Sequence, residues 1–390
     1  MEYVKLGDLI SLVIDYRGKT PLKLKGEWAS EGYRALSALN VKTGGLVAED
    51  KIRFVNEDLY HKWMKQEVNR GDILITSEAP FGQVLQWNSD EKIVLSQRLF
   101  AIRIKTDVDN RYVYYYMTSQ PFQGELKARA TGSTVEGLRQ PALMKCRLSL
   151  PELPLQHRIA SILSTYDTLI ENNTKRIRLL EKMAENLYKE WFVRFRFPGH
   201  ENVEMENGLP KGWKVKKYED ELNVKYGKGL PTDKLTKDGF PVFGSNGQIG
   251  YYTSYMYDTP QILISCRGAS SGVVNISLPK SFITNNSLIC EMTNKTESVF
   301  EYLKYYFLNT NLVQYQTGSA QPQITINNIV KLKLLIPSTD IQIKFADKVR
   351  TLDKEVGNLQ HQNSLLARQR DLLLPRLMSG KLEVKEELLE

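Results

Sequence analysis

The chain has 390 residues, with 53 Lys and Arg against 45 Asp and Glu, and a net charge of +8 at neutral pH. This length exceeds what one hydrophobic core usually supports, so at least two domains are expected. The 42% hydrophobic content is that of a globular protein, and no apolar run reaches the roughly 20 residues that a bilayer requires. The first residues lack the apolar stretch of a secretory signal, so we expect a cytoplasmic protein without a membrane segment.

Three cysteines, Cys146, Cys266 and Cys290, cannot all pair, and none has CxxC spacing or a neighbouring histidine. We therefore expect reduced thiols in ordinary packing and no metal site. The modest basic excess permits a polyanionic partner without requiring one.

The first 150 residues combine short apolar runs with turn residues and a helical patch. The runs Ile73–Thr76, Ile93–Leu95 and Phe100–Ile104 have the length and composition of buried strands, and residues 111–118 have a helical pattern. This mixture predicts an α+β fold.

Proline residues divide the rest of the chain into further segments. Pro151 and Pro154 precede a long helical pattern that we expect to extend to Pro198, and Pro337 precedes a second one with Ser338 as its N-cap. The predicted organisation is a first globular domain at 1–150, a long central helix at 151–198, a second globular domain at 199–336, and a second long helix with a tail at 337–390.

Both long helices carry heptad repeats of apolar residues, at alternating steps of four and three. In the first helix the repeat consists of Ile159, Leu163, Tyr166, Ile170, Asn173, Ile177, Leu180, Ala184, Leu187 and Trp191. In the second it consists of Phe345, Val349, Leu352, Val356, Leu359, Asn363, Leu366, Arg370, Leu373 and Leu377. Each helix is therefore predicted to pair, and the partner is expected in the same chain.

Comparison of the chain with itself indicates an internal repeat of two unlike copies. At an offset of 186 residues, Thr131-Gly132-Ser133 falls on Thr317-Gly318-Ser319, and the long helices keep this frame. At an offset of 189, Ile73-Leu74-Ile75 falls on Ile262-Leu263-Ile264. The order is globular, helix, globular, helix. The two helices are therefore predicted to form an intramolecular antiparallel coiled coil with pseudo-two-fold symmetry.

This symmetry also predicts the register of the two helices. It makes the numbers of paired residues sum to a constant, and a sum of 536 gives the pairs Asn173 with Asn363, Tyr166 with Arg370, and Trp191 with Phe345. An amide would then meet an amide, which fixes register, and the guanidinium would lie on the phenol ring. Arg370 and Pro375 are expected to weaken the far end of the second helix's pattern.

Two similar but unlike domains in a basic protein, held at a fixed separation, suit the recognition of a DNA site in two parts. A scaffold with two protein-binding heads is the alternative that this pattern leaves open.

Several motifs in the helices and their flanks extend this interpretation. They are Leu153-Pro154-Leu155-Gln156-His157-Arg158-Ile159-Ala160, Asn186-Leu187-Tyr188-Lys189-Glu190-Trp191-Phe192-Val193, Phe197-Pro198-Gly199, Leu209-Pro210-Lys211-Gly212-Trp213, and Leu373-Leu374-Pro375-Arg376-Leu377-Met378-Ser379-Gly380-Lys381-Leu382. In these motifs and their order, the chain resembles the DNA-specificity subunits of type I restriction-modification systems.

The resemblance implies that each globular half is a target recognition domain for one half of a split site in double-stranded DNA. It implies that the long helices dock two adenine-N6 methyltransferase subunits, and that restriction and translocase subunits join the full complex. The partners would then use S-adenosylmethionine, ATP and Mg²⁺, and this chain would hold no cofactor.

The residues themselves offer no active site for an enzyme. An adenine methyltransferase needs an Asn/Asp-Pro-Pro-aromatic loop, and no Pro-Pro pair occurs in the sequence. Gly18-Lys19-Thr20 resembles the end of a P-loop, but Val13 stands where the first glycine is required. The four histidines, His61, His157, His200 and His361, are scattered. We therefore expect a chain that is not an enzyme by itself.

Candidate DNA contacts are polar and basic residues in loops of each half, since Asn and Gln pair with adenine, Arg with guanine, and Lys with phosphate. In the first half they are Arg17, Lys19, Ser37, Asn40, Ser77, Gln97, Arg98, Arg129, Thr131, Gly132, Ser133 and Arg139. In the second half they are Lys228, Ser245, Asn246, Gln248, Tyr251, Arg267, Asn285, Asn286, Thr317, Gly318, Ser319, Gln321 and Gln323. The two Thr-Gly-Ser loops are expected to position the DNA backbone rather than to read bases.

The first long helix also carries apolar residues outside its heptad repeat, namely Ile162, Leu169, Leu179, Met183 and Phe192. They predict either packing on the chain's own domains or a docking surface for the methyltransferase subunits. A stand-alone DNA-binding architectural or regulatory protein, and an enzyme with a cryptic site, remain the alternatives for the whole chain.

Overall fold

The computed structural model describes residues 2–132, 136–318 and 321–384. The chain divides into two compact units, the first made of Met1–Thr174 with His361–Glu390 and the second of Lys175–Gln360. Each unit is α+β, as predicted. In the described part of the chain, no helix combines the length and the apolar character needed to cross a membrane.

The first unit contains short helices and strands, and the strands form one four-stranded, one three-stranded and two two-stranded sheets. Its strands are β1 (Glu2–Lys5), β2 (Ile10–Asp15), β3 (Tyr33–Leu36), β4 (Val41–Lys42), β5 (Gly45–Leu46), β6 (Arg53–Val55), β7 (Ile73–Thr76), β8 (Val84–Gln86), β9 (Ile93–Leu95), β10 (Leu99–Ile104) and β11 (Arg147–Leu150). Its helices are α1 (Leu6–Leu9), α2 (Glu57–Trp63), α3 (Asn110–Thr118), α4 (Gln120–Ala128), α5 (Gln140–Met144) and the first part of α6 (Leu153–Tyr188).

The larger sheet of the first unit has the strand order β2-β10-β7-β8, with antiparallel neighbours throughout. A smaller sheet, β6-β3-β9, pairs β3 antiparallel with β6 and parallel with β9. Side chains alternate across a strand. Ile73 and Ile75 of β7 accordingly enter one hydrophobic core while Leu74 enters the other. This two-sided burial explains the uninterrupted apolar runs by which the strands were predicted.

The second unit repeats this arrangement with different loops. Its strands are β12 (Met205–Glu206), β13 (Leu209–Pro210), β14 (Lys214–Lys217), β15 (Leu222–Tyr226), β16 (Phe240–Gly244), β17 (Gly247–Tyr252), β18 (Ile262–Ser265), β19 (Val274–Ile276), β20 (Phe282–Ile283), β21 (Ser287–Met292) and β22 (Lys333–Ile336). After the remainder of α6 and a π-helical turn at Lys189–Val193, its helices are α7 (Tyr218–Glu221), α8 (Phe300–Leu308), α9 (Ile326–Ile329) and the first part of α10 (Thr339–Met378).

The topology of the second unit confirms the internal repeat. Its sheets have the orders β15-β21-β18-β19 and β17-β16-β20, and β14 pairs with β22 as β1 pairs with β11. The hydrogen bonds at the helix starts repeat as well. The amide of Asp109 donates to Gln156 Oε1 at 3.0 Å, and the amide of Val299 donates to Gln342 Oε1 at 2.8 Å. A buried glutamine thus ties each long helix to its own unit.

The two long helices run antiparallel within each unit. In the first unit, Asp167 of α6 forms an ion pair with Arg370 of α10, and Asn173 Nδ2 donates to Gln362 Oε1 at 2.8 Å. In the second unit, Arg176 pairs with Glu355 at 2.8 Å. Rising residue numbers in α6 therefore meet falling numbers in α10, as predicted. The ring centroids of the predicted pair, Trp191 and Phe345, lie 5.9 Å apart.

Two details of the predicted register are wrong. The amides of Asn173 and Asn363 do not bond to each other, because Gln362 takes the first and the Ile170 carbonyl and Thr174 hydroxyl accept from the second.

The Arg370 guanidinium does not lie on the Tyr166 ring. It pairs with the carboxylates of Asp167 and Asp371, since a charge pair holds a half-buried guanidinium more strongly than a ring face does. Although α10 contains Pro375, it continues to Met378, and Leu377 packs in the same core as Ile159.

Candidate nucleic-acid interface

Five predicted DNA-contact residues of the first unit line one cleft of about 720 Å³. They are Arg17, Lys19, Ser77, Gln97 and Arg98. The antiparallel order β2-β10-β7 explains why they meet, since it brings the end of β2, the start of β10 and the end of β7 to one edge of the sheet. Residues far apart in sequence therefore converge on a single loop surface.

The Arg17 side chain is held rigidly at the end of β2. Its Nε and Nη2 donate to Asp15 Oδ1 and Oδ2 at 2.9 and 2.6 Å, and Nη1 donates to the Leu138 carbonyl at 3.1 Å. The guanidinium also lies 4.8 Å from the centroid of the Phe100 ring. This bidentate pairing fixes the orientation of the guanidinium. Asp15 was not predicted as part of the site, although it lies only two residues before Arg17.

Lys19 is tied into the same loop. Its ammonium donates to the Trp63 carbonyl at 2.8 Å and lies 4.2 Å from the Tyr16 ring centroid. Burial, followed by the nearby charge of Lys65, lowers the pKa of Lys19 below its ordinary value. Lys23, which was not predicted, also lines the cleft.

Arg98 forms an exposed ion pair with Glu78 across the cleft, with Nε 3.3 Å from Oε2. The Ser77 amide donates to the Arg98 carbonyl at 2.8 Å, which fixes the two loops against each other. Ser77 itself is buried, and its hydroxyl also donates to the Arg98 carbonyl. Ser77 therefore holds the loop in place, and its role as a DNA contact stays a prediction. Glu78 was not predicted.

Ser37 and Asn40 form a structural turn. The Ser37 amide and hydroxyl donate to Asn40 Oδ1, and Asn40 Nδ2 donates to the Ala48 carbonyl at 3.1 Å. Asn40 is 2% exposed, so its amide is not free to pair with a base and its prediction as a contact is wrong.

The remaining candidates of the first unit lie around a turn near α4 and α5. Thr131 exchanges two backbone hydrogen bonds with Gly137, at 3.0 and 2.9 Å. Gly132 is exposed with φ of 116°, a conformation that favours glycine. Arg129 pairs with Glu125 at 2.6 Å, and Arg139 is exposed immediately before α5. Ser133 lies outside the described residues.

The second unit brings its own candidates to the corresponding edge of its sheet. The Asn285 amide donates to the Lys228 carbonyl at 3.1 Å, and the Cys266 amide donates to the Asn286 carbonyl at 3.0 Å. Arg267 forms an isolated bridge with Gln323. Lys228, Arg267, Asn285, Asn286 and Gln323 are all exposed.

The hairpin of β16 and β17 carries four further candidates. The carbonyl of Ser245 accepts a hydrogen bond from the Ser265 hydroxyl at the end of β18, and Asn246 Oδ1 accepts from Ser270. Gln248 and Tyr251 are exposed on β17. The hairpin is thus anchored beside the end of β18 and presents polar and aromatic side chains.

The Thr-Gly-Ser turn of the second unit repeats the backbone geometry of the first. Thr317 exchanges hydrogen bonds of 2.8 and 2.9 Å with Gln323, and Gly318 has φ of 88°. Gln321 is exposed in the same turn, and Ser319 lies outside the described residues.

The same backbone hydrogen bonds recur at the two sheet edges, and we call this set of bonds the backbone frame. The Ser77 amide donates to the Arg98 carbonyl as the Cys266 amide donates to the Asn286 carbonyl, at 2.8 and 3.0 Å. The Leu138 amide then donates to the Ser77 carbonyl, just as the Ile324 amide donates to the Cys266 carbonyl. This frame relates residues of the two units as the pairs Arg17 and Lys228, Glu78 and Arg267, Gln97 and Asn285, Arg98 and Asn286, and Gly137 and Gln323.

The apolar residues predicted for partner docking have different environments. Leu169, Leu179 and Met183 are exposed, by 44%, 64% and 57%. Ile162 is half-buried against the first unit's core. Phe192 is 3% exposed and packs on Trp213, Tyr302 and Phe345, so its prediction as a docking residue is wrong.

Within the described ranges, no group of three or more His, Cys, Asp or Glu side chains could hold a metal ion. The three cysteines are free and buried, as predicted. Burial raises the pKa of Cys146 to about 11 and that of Cys290 to about 12.

Comparisons with known proteins agree with this arrangement. The family model of the type I restriction modification DNA specificity domain matches residues 1–182 and 210–367. The MjaIX specificity subunit of Methanocaldococcus jannaschii is 30% identical over 342 residues, which cover 81% of this chain and 79% of that protein. The MjaVIII specificity subunit of the same organism is 22% identical over 414 residues, covering 98% and 93%.

A solved structure extends the comparison to the fold. The type I restriction-modification S subunit of M. genitalium aligns with a TM-score of 0.57 at 18% identity, covering 96% of this chain and 95% of that one. Because the family model matches each of the two repeats and most of the chain, the protein belongs to the family of type I restriction-modification DNA specificity subunits.

Proposed function

We propose that this chain recognises a bipartite DNA site, with one half read by each unit, and directs the catalytic subunits of a type I restriction-modification complex to it. The observation that carries the proposal is the shared backbone frame, which presents different side chains at corresponding positions of the two units. A repeated frame with unlike side chains suits two half-sites of unlike sequence.

The side chains at the two edges supply the donors that base recognition requires. In the first unit Arg17, Gln97 and Arg98 offer guanidinium and amide groups, which pair bidentately with guanine and adenine. In the second unit Asn285 and Asn286 offer exposed amides. Lysines and turn amides hold phosphate and set the register on the duplex.

The chain itself performs no bond chemistry in this proposal. Two adenine methyltransferase subunits bring S-adenosylmethionine, and restriction and translocase subunits use ATP and Mg²⁺. The exposed Leu179 and Met183 are four residues apart on α6 and therefore share one helix face. This face is the proposed contact for a methyltransferase helix.

The function is tested by mapping methylated adenines in cells that express the chain with the methyltransferase from its own genome. We expect a two-part motif with unlike halves, and we expect it to disappear when the chain is deleted. A continuous motif, or methylation that persists without the chain, would contradict the proposal. A chain that binds DNA but never co-purifies with the methyltransferase would instead be a stand-alone DNA-binding protein.

The docking face is tested by the double substitution Leu179→Asp with Met183→Asp. We expect loss of co-purification with the methyltransferase, because two charges would be buried in an apolar contact. The matched control is Leu278→Asp, which changes a residue that is 50% exposed in a loop of the same unit. Circular dichroism of the isolated chain should be unchanged in both variants, and intact assembly of the double variant would refute the docking face.

A further inference from the structure

The cleft of the first unit contains acidic as well as basic side chains. Asp15 and Glu78 line it together with Arg17, Lys19 and Arg98. A surface that only held phosphate would exclude carboxylates, because they repel the DNA backbone. Asp15 is satisfied by its bidentate pairing with Arg17. Glu78 is not held in this way, because its ion pair with Arg98 is solvent-exposed, with Arg98 Nε 3.3 Å from Glu78 Oε2.

Arg98 has an unfavourable backbone conformation for a residue with a side chain. Its φ is 59°, in the left-handed region where glycine is preferred. The turn would form more easily with glycine, so the arginine side chain is retained against the local preference. Non-glycine residues in this region are concentrated at functional sites.

The corresponding positions of the second unit have a different chemistry. Arg267 stands where the first unit has Glu78, and Asn286 stands where it has Arg98. The backbone hydrogen bonds around the two positions are the same in both units. The side chains therefore differ on a shared set of backbone hydrogen bonds, and the local backbone differs as well, since Arg98 has a positive φ and Asn286 does not.

We propose that Glu78 and Arg98 together read one G·C base pair in the first half-site. Arginine pairs bidentately with guanine O6 and N7 in the major groove, and a glutamate oxygen accepts from the N4 amine of cytosine. The exposed pair holds the two groups side by side before DNA binds. In the second unit, Arg267 and Asn286 read a different base pair at the corresponding position of its own half-site. This inference rests on the proposed function.

The test uses Arg98→Gly in the full chain, co-expressed with its methyltransferase. Glycine suits the φ of 59°, so the substitution removes the side chain without straining the turn, and the thermal midpoint should stay the same or rise. In a map of methylated adenines, we expect one half of the motif to lose its requirement for a single G·C pair. Discrimination at that pair should fall roughly 10- to 100-fold.

Glu78→Ala should relax the same base pair, because alanine offers no oxygen to accept a hydrogen bond from cytosine N4. The matched control is Arg70→Ala, which removes an exposed arginine paired with Asp90 at 2.9 Å in the same unit but outside the cleft lining. This control should leave the motif unchanged.

An unchanged motif in Arg98→Gly, or a change confined to an A·T pair or to the other half-site, overturns the inference and leaves the proposed function intact. A wild-type chain that directs no two-part methylation overturns the proposed function and this inference with it.

Discussion

The two units are most alike in the backbone hydrogen bonds of the loops that carry the candidate DNA contacts. They differ most in the side chains of those loops. Ser77 and Cys266 occupy the same position in the frame, and their amide and carbonyl groups form the bonds that repeat in both units. Neighbouring positions such as Glu78 and Arg267 carry opposite charges. The same main-chain hydrogen bonds can therefore support loops whose side chains differ in chemistry, because those bonds do not depend on side-chain identity.

The contacts between each long helix and its own unit combine a repeated side-chain hydrogen bond with a changed ion-pair partner. In the first unit Tyr115 donates to Asp167, which also pairs with Arg370 of α10. In the second unit Tyr305 donates to Asp353 at 2.8 Å, but the cation that pairs with Asp353 is Lys304, which precedes Tyr305 on α8. The tyrosine and aspartate repeat, whereas the cation comes from a different element.

The largest expected effect is the loss of stability when a core residue beside the long helices is truncated in either unit. Phe345 is fully buried and contacts Tyr188, Trp191 and Phe192. Phe345→Ala should destabilise the second unit by about 3–5 kcal/mol, and Ile159→Ala at the matching position of the first unit by about 2–4 kcal/mol. Urea denaturation gives the magnitudes, and hydrogen exchange should locate each loss in its own unit. Equal loss of protection in both units from either variant would break the comparison.

Alkaline pH should destabilise both units through their buried tyrosines. Burial raises the pKa of Tyr112 and of Tyr302 above the ordinary value near 10. Their contribution to stability is fully present below pH 10 and is lost as the pH rises above 10 towards the folded-state pKa, because only the unfolded phenol ionises. Each such tyrosine adds a slope of about 1.4 kcal/mol per pH unit.

The matched variants Tyr112→Phe and Tyr302→Phe sharpen this prediction. Each hydroxyl donates to a backbone carbonyl, at 2.8 and 2.7 Å, so the two substitutions remove equivalent groups. Urea titrations at pH 9, 10 and 11 should show a shallower decline for each variant. A decline as steep as in the wild type would contradict the assignment to these tyrosines.

The junction carboxylates should differ in importance. Asp167→Asn leaves Arg370 its second partner, Asp371, whereas Lys304 pairs in the described residues with Asp353 alone. We therefore expect Asp353→Asn to cost about 2 kcal/mol and Asp167→Asn about 1 kcal/mol, both measured by urea denaturation. Equal costs, or the reverse order, would show that Asp371 does not compensate for the loss of the Asp167 carboxylate.

The smallest effect concerns phosphate binding by Lys228, the counterpart of Arg17. Lys228 is exposed, while Arg17 is bound to Asp15 and Leu138. Lys228→Ala should weaken DNA binding uniformly across sequences and lower the slope of log affinity against log salt by about 1. Fluorescence anisotropy at several salt concentrations measures both. A loss confined to one sequence would make Lys228 a base contact instead.

Hydrophobic pattern was sufficient to predict much of the fold. The strands Ile73–Thr76 and Ile93–Leu95 have the predicted bounds, and the internal repeat led to the antiparallel helices and to the contact of Trp191 with Phe345. These features follow from periodicity, which depends on many residues at once.

Single side-chain partners could not be predicted in the same way. Gln362 lies outside the heptad repeat, yet it takes the amide of Asn173. Phe192 lies within the π-helical turn Lys189–Val193 at the end of α6, and the extra residue of such a turn rotates its side chains away from the regular helical pattern. Glu78 meets Arg98 only because β7 and β10 are neighbours, a contact that no local pattern contains.

The claim that the two units recognise their half-sites independently is tested most directly by the methylation motif of a double variant. This variant carries Asn285→Ala with Asn286→Ala in the complete system. Because both exposed amides belong to the second unit, we predict that one half of the motif changes while the other half keeps its sequence. A change in both halves together, or no change in either, would contradict the account that each unit reads its own half of the site.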